Sequence, residues 1–136
     1  MGGAVQQGQE LTTVLVVEDD RLLQSLVEDA LDEGGFKFAM VGSAEEAVRL
    51  LKAKTITFCA LITDINLSGG MDGWEIARTA REIDAGFPII YMTGAAGAEW
   101  PSKGVPDSIL LNKPFAPAQL VTAVSQLLNT GTPPTA

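Results

Sequence analysis

The chain has 136 residues and a formal net charge of −8, with 46% hydrophobic and 19% charged residues. This length predicts one domain, and the acidic excess argues against direct binding to nucleic acid, because phosphate backbones attract Lys and Arg. The chain has no histidine and a single cysteine, which excludes Ser-His-Asp and Cys-His catalysis, an internal disulfide and a multi-cysteine zinc site.

The sequence predicts neither a membrane-spanning helix nor a secretory signal. Its apolar stretches are far shorter than the roughly 20 residues that a membrane-spanning helix needs. The N-terminus, Met-Gly-Gly-Ala-Val-Gln-Gln-Gly-Gln-Glu, has no basic region followed by an apolar block, as a secretory signal would. We therefore expect a cytoplasmic protein without membrane insertion.

The first predicted strand is the apolar, β-branched run of residues 11–17. It follows a Gly/Gln-rich segment, residues 1–10, that we expect to be flexible. From Asp20 onward apolar residues recur at helical spacing, and aspartate is a preferred N-cap residue. The Gly34-Gly35 pair is a typical helix end. This stretch therefore predicts a buried strand followed by a helix.

The remaining strands are predicted from further apolar runs, which cover residues 36–41, 58–63, 87–92 and 107–111. Helices between them begin at the N-cap candidates Ser43, where Glu46 completes a capping-box pattern, and Asp72. A short helix within residues 95–104 is only weakly patterned. The last helix, residues 116–129, precedes a Pro/Thr-rich tail, residues 130–136, that we expect to be flexible.

Strands that alternate with helices predict an α/β domain over residues 11–129, with a parallel sheet covered on both faces. Right-handed crossovers favour a flavodoxin-like (βα)5 doubly wound fold with strand order 2-1-3-4-5. Its crevice would lie between strands 1 and 3. The sequence shows no internal repeat and no second domain.

Polar residues at the carboxyl ends of four predicted strands converge at this crevice: Glu18, Asp19, Asp64, Thr93 and Lys113. Crowded carboxylates repel one another unless a divalent cation lies among them. Oxygen ligands favour Mg²⁺, which keeps several waters and readily shares a phosphate. The expected metal ligands are Glu18, Asp19, Asp64 and the backbone carbonyl of Asn66.

This group of residues has the chemistry to transfer a phosphoryl group to Asp64. Lys113 can neutralise Asp64 at rest and hold a phosphoryl oxygen later, and the hydroxyl of Thr93 can donate to the same oxygen. Gly94 leaves room for an incoming group. An aspartate in such a setting can attack phosphorus and form an acyl phosphate, while the metal and the lysine stabilise charge on the transferring oxygens.

Five motifs in this order resemble the receiver domain of two-component response regulators. They are Val16-Val17-Glu18-Asp19-Asp20, Asp64 after its apolar strand, Met71-Asp72-Gly73, Thr93-Gly94 and Leu111-Asn112-Lys113-Pro114-Phe115. The resemblance covers residues 11–129.

The resemblance implies a role for each residue of the predicted site. Asp64 is the phosphoacceptor, Glu18 and Asp19 are the acidic pair at Mg²⁺, and Asn66 is the carbonyl ligand. Thr93 and Lys113 sense the phosphoryl group. The donor is a phosphohistidine on a sensor histidine kinase or a histidine phosphotransfer protein. Such a protein promotes its own phosphorylation and dephosphorylation, and is no dedicated metabolic enzyme.

Two features depart from the family pattern. Ser68-Gly69-Gly70 replaces a loop that usually has a proline soon after the aspartate and one residue fewer before Met71. Leu110 stands three positions before the lysine, where the family often has an aromatic switch residue. Tyr91 and Trp100 are nearby aromatics without an assigned role.

We expect a stand-alone, single-domain response regulator in a two-component or phosphorelay pathway. It would signal to an unidentified protein target through a conformational change or onward phosphotransfer, and homodimerisation stays open. The alternative is a receiver-like protein-binding module without phosphorylation. An aspartate-based phosphohydrolase is disfavoured because Asn66 stands where such enzymes place a second carboxylate. Flavin binding is disfavoured because three acids after strand 1 would repel its phosphate.

Overall fold

The computed structural model describes residues 13–130. Its strands are β1 (Thr13–Val17), β2 (Lys37–Val41), β3 (Ala60–Asp64), β4 (Ile89–Thr93) and β5 (Ile109–Asn112). Its helices are α1 (Arg21–Glu33), α2 (Ala44–Ala53), α3 (Gly73–Ile83), the single turn α4 (Trp100–Lys103) and α5 (Pro117–Thr130), and a 3-10 turn, Gly97–Glu99, precedes α4. The expected segment 1–10 and most of the tail lie outside the described residues.

The five strands form one parallel sheet in the order β2-β1-β3-β4-β5. This confirms the predicted flavodoxin-like α/β topology. The order places β1 beside β3, although 42 residues lie between Val17 and Ala60 in the sequence. Parallel pairing brings all five carboxyl ends to one edge of the sheet, where ligands bind in such folds.

Apolar side chains alternate between the two faces of the sheet, so two cores form. One core packs α2 and α3 against side chains that include Leu15, Leu61 and Tyr91. The other packs α1 and α5 against side chains that include Val16 and Met92. The central strands are buried on both faces, which explains their nearly continuous apolar runs.

Three helices begin at the predicted N-cap residues. The carboxylate of Asp20 accepts bonds from the first turn of α1, at 2.9 Å from the Leu22 nitrogen. Ser43 Oγ accepts from the backbone nitrogen of Glu46 at 3.2 Å. Asp72 and Glu75 form a complete capping box at the start of α3. These caps satisfy N–H groups that a helix leaves unpaired.

The starts of four predicted strands are wrong by one or two residues, and the second strand begins at Lys37 instead of residue 36. The third, fourth and fifth strands begin at Ala60, Ile89 and Ile109 instead of residues 58, 87 and 107. The Phe87 N–H donates to the Asp84 carbonyl in a turn, and Asp107 has a φ of 61°, so neither residue has strand geometry. The strands also run further, so that Asp64 and Thr93 end β3 and β4 instead of following them.

Within residues 13–130, no helix is long and apolar enough to cross a membrane.

Candidate functional site

The sheet brings the predicted site residues together at its carboxyl edge. Lys113 follows β5, and its Nζ lies 3.2 Å from Asp64 Oδ1 and 3.3 Å from Glu18 Oε1. One lysine therefore pairs with carboxylates from two other strands. Lys113 and Glu18 are 95 positions apart in sequence, so this contact depends on the strand order and on nothing local.

Three carboxylates form the acidic part of the site. Glu18, Asp19 and Asp64 each offer an oxygen, and these oxygens lie within 4.8 Å of one another. Glu18 is fully buried, Asp64 is 6% exposed and Asp19 is exposed. Such a cluster of hard oxygen donors, reachable from solvent on one side, fits a magnesium ion that keeps part of its water shell.

The surroundings shift the pKa values of these carboxyls in different directions. Burial raises the pKa of Glu18, and the Asp20 N–H, which donates to it at 3.0 Å, opposes the rise. Burial also raises the pKa of Asp64, against the nearby charge of Lys113. The pKa of Asp19 is lowered, because the Ser68 hydroxyl and then its N–H donate to the carboxylate. The buried pair therefore resists ionisation, whereas the exposed acid favours it.

Thr93 is fully buried at the end of β4. Its Oγ1 accepts hydrogen bonds from the N–H groups of Ala95 and Ala96, at 3.1 and 2.7 Å. The hydroxyl therefore caps the loop after β4 while its own proton stays available to donate. The Thr93 carbonyl also accepts from the Lys113 N–H. The structure thus places Thr93 beside Lys113 at the same edge of the sheet.

Asn66 lies in the loop after β3 and is exposed. A backbone hydrogen bond from Asn66 lowers the pKa of Asp64, so the loop turns back toward the aspartate. This places Asn66 next to Asp64, and its role as a carbonyl ligand stays a prediction.

Two further residues shape the site and were not predicted to do so. Ser68 donates to Asp19 Oδ2 through both Oγ, at 2.8 Å, and its backbone nitrogen, at 3.1 Å. Gly73 begins α3, and a Cβ there would lie 2.3 Å from the Asp64 carbonyl oxygen. Only glycine lets α3 approach the backbone of Asp64 this closely. The role of Ser68 was indicated in the sequence only by its departure from the usual loop pattern. The role of Gly73 was indicated only by its place in the Met71-Asp72-Gly73 motif.

The aromatic residues lie behind the site, within the core. Tyr91 is fully buried and its ring packs on Trp74 with 4.7 Å between ring centroids. Its hydroxyl accepts from the Val105 N–H at 3.1 Å. Leu110 is partly buried against the same core. The phenol ring of Tyr91 therefore anchors the segment between α4 and β5 from inside the sheet.

The response regulator receiver domain family matches residues 14–125. A solved response regulator receiver protein from Sinorhizobium medicae superimposes with a TM-score of 0.86 at 45% identity, covering 89% of this chain and 97% of that one. The receiver domain of a sensor histidine kinase from Pseudomonas aeruginosa, solved with magnesium in its active site cleft, shares the fold. It has a TM-score of 0.74 at 24% identity and covers 87% of this chain and 98% of its own.

Relatives in sequence agree. The response regulator receiver protein CpdR from Brucella abortus is 34% identical over 117 residues, which are 85% of this chain and 95% of CpdR. The chain spans less of two larger relatives. The response regulator FleR from Pseudomonas aeruginosa is 36% identical, over 83% of this chain and 24% of FleR. The transcriptional regulator CusR from Escherichia coli is 32% identical, over 87% of this chain and 52% of CusR.

The family match, the strand order and the convergence of carboxylates on one lysine agree, and this chain belongs to the response regulator receiver domain family of two-component systems.

Proposed function

We propose that the chain is a phosphoacceptor that receives a phosphoryl group on Asp64 from a phosphohistidine of a sensor histidine kinase or histidine phosphotransfer protein. The observation that carries this proposal is the 3.2 Å approach of Lys113 Nζ to Asp64 Oδ1 inside an acidic cluster. A lysine in that place neutralises the Asp64 carboxylate before phosphorylation. It also lies next to the position that the phosphoryl oxygens would occupy.

The charges of the site support a divalent cation. Three carboxylates lie near one ammonium group, so in their ionised forms they leave two negative charges without compensation. One Mg²⁺ ion would balance these two charges. Glu18, Asp19, Asp64 and the Asn66 carbonyl would hold the ion. When bound, Mg²⁺ supplies positive charge to the oxygens of the transferring group.

The side chains of the chain carry out the transfer as follows. An Asp64 carboxylate oxygen attacks phosphorus, the P–N bond to the donor imidazole breaks, and the imidazole nitrogen keeps the electron pair of that bond and takes up a proton. Lys113 holds one phosphoryl oxygen, and the Thr93 hydroxyl donates to the same oxygen. Glu18, fully buried beside Lys113, pairs with the ammonium group and holds it in place.

The proposed protein signals by being phosphorylated and is no dedicated metabolic enzyme, although it promotes the gain and loss of its own phosphoryl group. A changed surface, or onward transfer to a histidine, would inform a protein target. The identity of that target, the cytoplasmic location and homodimerisation stay predictions.

Intact mass spectrometry after incubation with acetyl phosphate tests the proposal. We expect a gain of one phosphoryl group that requires Mg²⁺ and is abolished in Asp64→Asn. Asp72→Asn is the matched control, because Asp72 caps α3 outside the acidic cluster and asparagine is an equally good cap. It should label like the parent chain.

Failure of the folded parent chain to gain mass would overturn the proposal. The weight would then move to the protein-binding module, which the non-aromatic Leu110 favours. Undiminished labelling of Asp64→Asn would place the phosphoryl group elsewhere and would equally reject Asp64 as the acceptor.

A further inference from the structure

The loop after β3 reaches across the site and holds Asp19. Ser68 Oγ and the Ser68 backbone nitrogen both donate to one carboxylate oxygen, Oδ2, at 2.8 and 3.1 Å. The two residues are 49 positions apart in sequence. Both are exposed, so the hydrogen bonds hold together two surface groups that would otherwise rotate freely.

The loop is built to aim Ser68 at this carboxylate. Gly69 has a φ of 108°, which L side chains rarely adopt, so the chain turns immediately after Ser68. A proline, the residue that the family often has soon after the aspartate, has no N–H and no hydroxyl. At position 68 it could make neither bond. The Ser68-Gly69 pair therefore allows this loop to hydrogen-bond to Asp19, which a proline at position 68 would prevent.

We propose that Ser68 is a positioning residue for the divalent cation, an inference that rests on the proposed function. Engagement of Oδ2 by two donors fixes the rotamer of Asp19 and leaves Oδ1 as the oxygen available to a cation. Charge-assisted hydrogen bonds of this kind are about twice as strong as neutral ones. The Asp19 carboxylate is then already ordered before the cation binds. The entropic cost of ordering it therefore does not reduce the affinity for the cation.

A competing effect has the opposite sign. The two donors withdraw charge from Asp19 and would make it a weaker ligand. They bind the oxygen that the cation does not use, however, and the geometric effect dominates where a ligand is otherwise mobile. Partners of metal ligands commonly change metal affinity by tenfold or more when removed.

Calorimetric titration of the full chain with Mg²⁺ tests this inference in the absence of any phosphodonor. We expect Ser68→Ala, which keeps the N–H, to weaken binding by about tenfold, in line with the usual effect of outer-shell partners. Ser68→Pro, which loses both donors, should weaken Mg²⁺ binding further. Ser68→Thr keeps the hydroxyl and the N–H and should bind Mg²⁺ like the parent. Ser102→Ala is the matched control, since that exposed hydroxyl donates to the Glu99 carbonyl, and it should bind like the parent.

A second measurement separates positioning from a general loss of structure. In metal-free buffer, Ser68→Ala should lower the urea midpoint in the parent chain and leave it unchanged in an Asp19→Ala background. An equal drop in both backgrounds would show that Ser68 stabilises the loop without acting through Asp19.

The outcomes distinguish this inference from the proposed function. If the parent binds Mg²⁺ and Ser68→Ala binds it equally or more tightly, Ser68 is not a positioning residue and the proposed function stands. If the folded parent binds no Mg²⁺, both are overturned.

Discussion

The backbone N–H of Lys113 donates to the carbonyl of Thr93 at 2.7 Å. This bond continues the pairing of β4 with β5 by one step, beyond the Thr93–Asn112 register position. The two residues proposed to contact the phosphoryl group are thereby joined through their backbones. We therefore expect a displacement of Thr93 to move the backbone of Lys113 with it.

Replacement of Lys113 should destabilise the metal-free protein. Lys113→Met leaves the fully buried Glu18 and its neighbour Asp64 without a counter-charge. We expect a loss of about 1–3 kcal/mol at neutral pH, the usual cost of leaving a buried polar group unpaired. Urea unfolding in the presence of a chelator measures it.

Lys103→Met is the control for that experiment, because Lys103 pairs with Glu99 on the surface, where both side chains are about half exposed. Such a pair contributes less than about 1 kcal/mol. Equal losses in the two variants would contradict a special role for the lysine at the acidic cluster.

The stability of the metal-free protein should depend on pH through the two buried acids. The pKa values of Glu18 and Asp64 are raised in the folded state, so folding favours their protonated forms. Their contribution to the free energy of unfolding therefore increases as pH falls from neutral through the raised pKa values. Asp19 acts in the opposite direction: its pKa is lowered, and its contribution is lost only at more acidic pH.

Glu18→Gln isolates part of this effect, since glutamine does not titrate. As pH falls from neutral toward the raised pKa of Glu18, the gain on acidification should be smaller in Glu18→Gln than in the parent. Urea unfolding at several pH values gives both slopes, and identical slopes would show that Glu18 does not titrate there.

Substitution of Gly73 should damage the fold at the site itself. In Gly73→Ala the added Cβ would lie 2.3 Å from the Asp64 carbonyl oxygen and 2.8 Å from the Ile65 Cα. Because these are backbone atoms, α3 has to move, and we expect a loss of about 1–3 kcal/mol, typical of overpacking. Gly70→Ala is the control, since nothing lies within 4 Å of its Cβ position. Thermal unfolding of both variants tests the difference.

Cys59 should react slowly in the folded protein. Burial raises its pKa to about 11, so at pH 8 nearly all of it is the unreactive thiol. We expect alkylation by iodoacetamide to be more than about tenfold slower in the native protein than in urea, because the thiolate is the reacting species. Intact mass follows the reaction without ambiguity, since the chain has a single cysteine. Equal rates would show that the surroundings of the partly buried thiol do not perturb it.

The strand order and the meeting of polar strand ends could be predicted from the sequence, because both depend on patterns that extend over many residues. Apolar runs alternate with helical periodicity, and parallel strands bring their carboxyl ends together. Boundaries were less predictable. Phe87 and Asp107 lie next to apolar runs, yet a turn and a positive φ exclude them from the strands.

The pairing of Lys113 with Asp64 could be predicted from the sequence, whereas other contacts within the site could not. The bond from Ser68 to Asp19 depends on the path of a loop with an extra residue, and no local pattern encodes which distant group it meets. Adjacent residues can also differ completely in exposure. Glu18 is buried at the edge of the sheet, whereas Asp19, the next residue, is exposed to solvent.

The small exposed area of Asp64, 6%, has a kinetic consequence. Thr93 and Glu18 close the site from within, and the exposed side is the one that Asp19 occupies. Under the proposed function, a phosphodonor would reach Asp64 from this exposed side. A protein bound over the Asp19 side would then slow the gain of the phosphoryl group without contacting Asp64 itself.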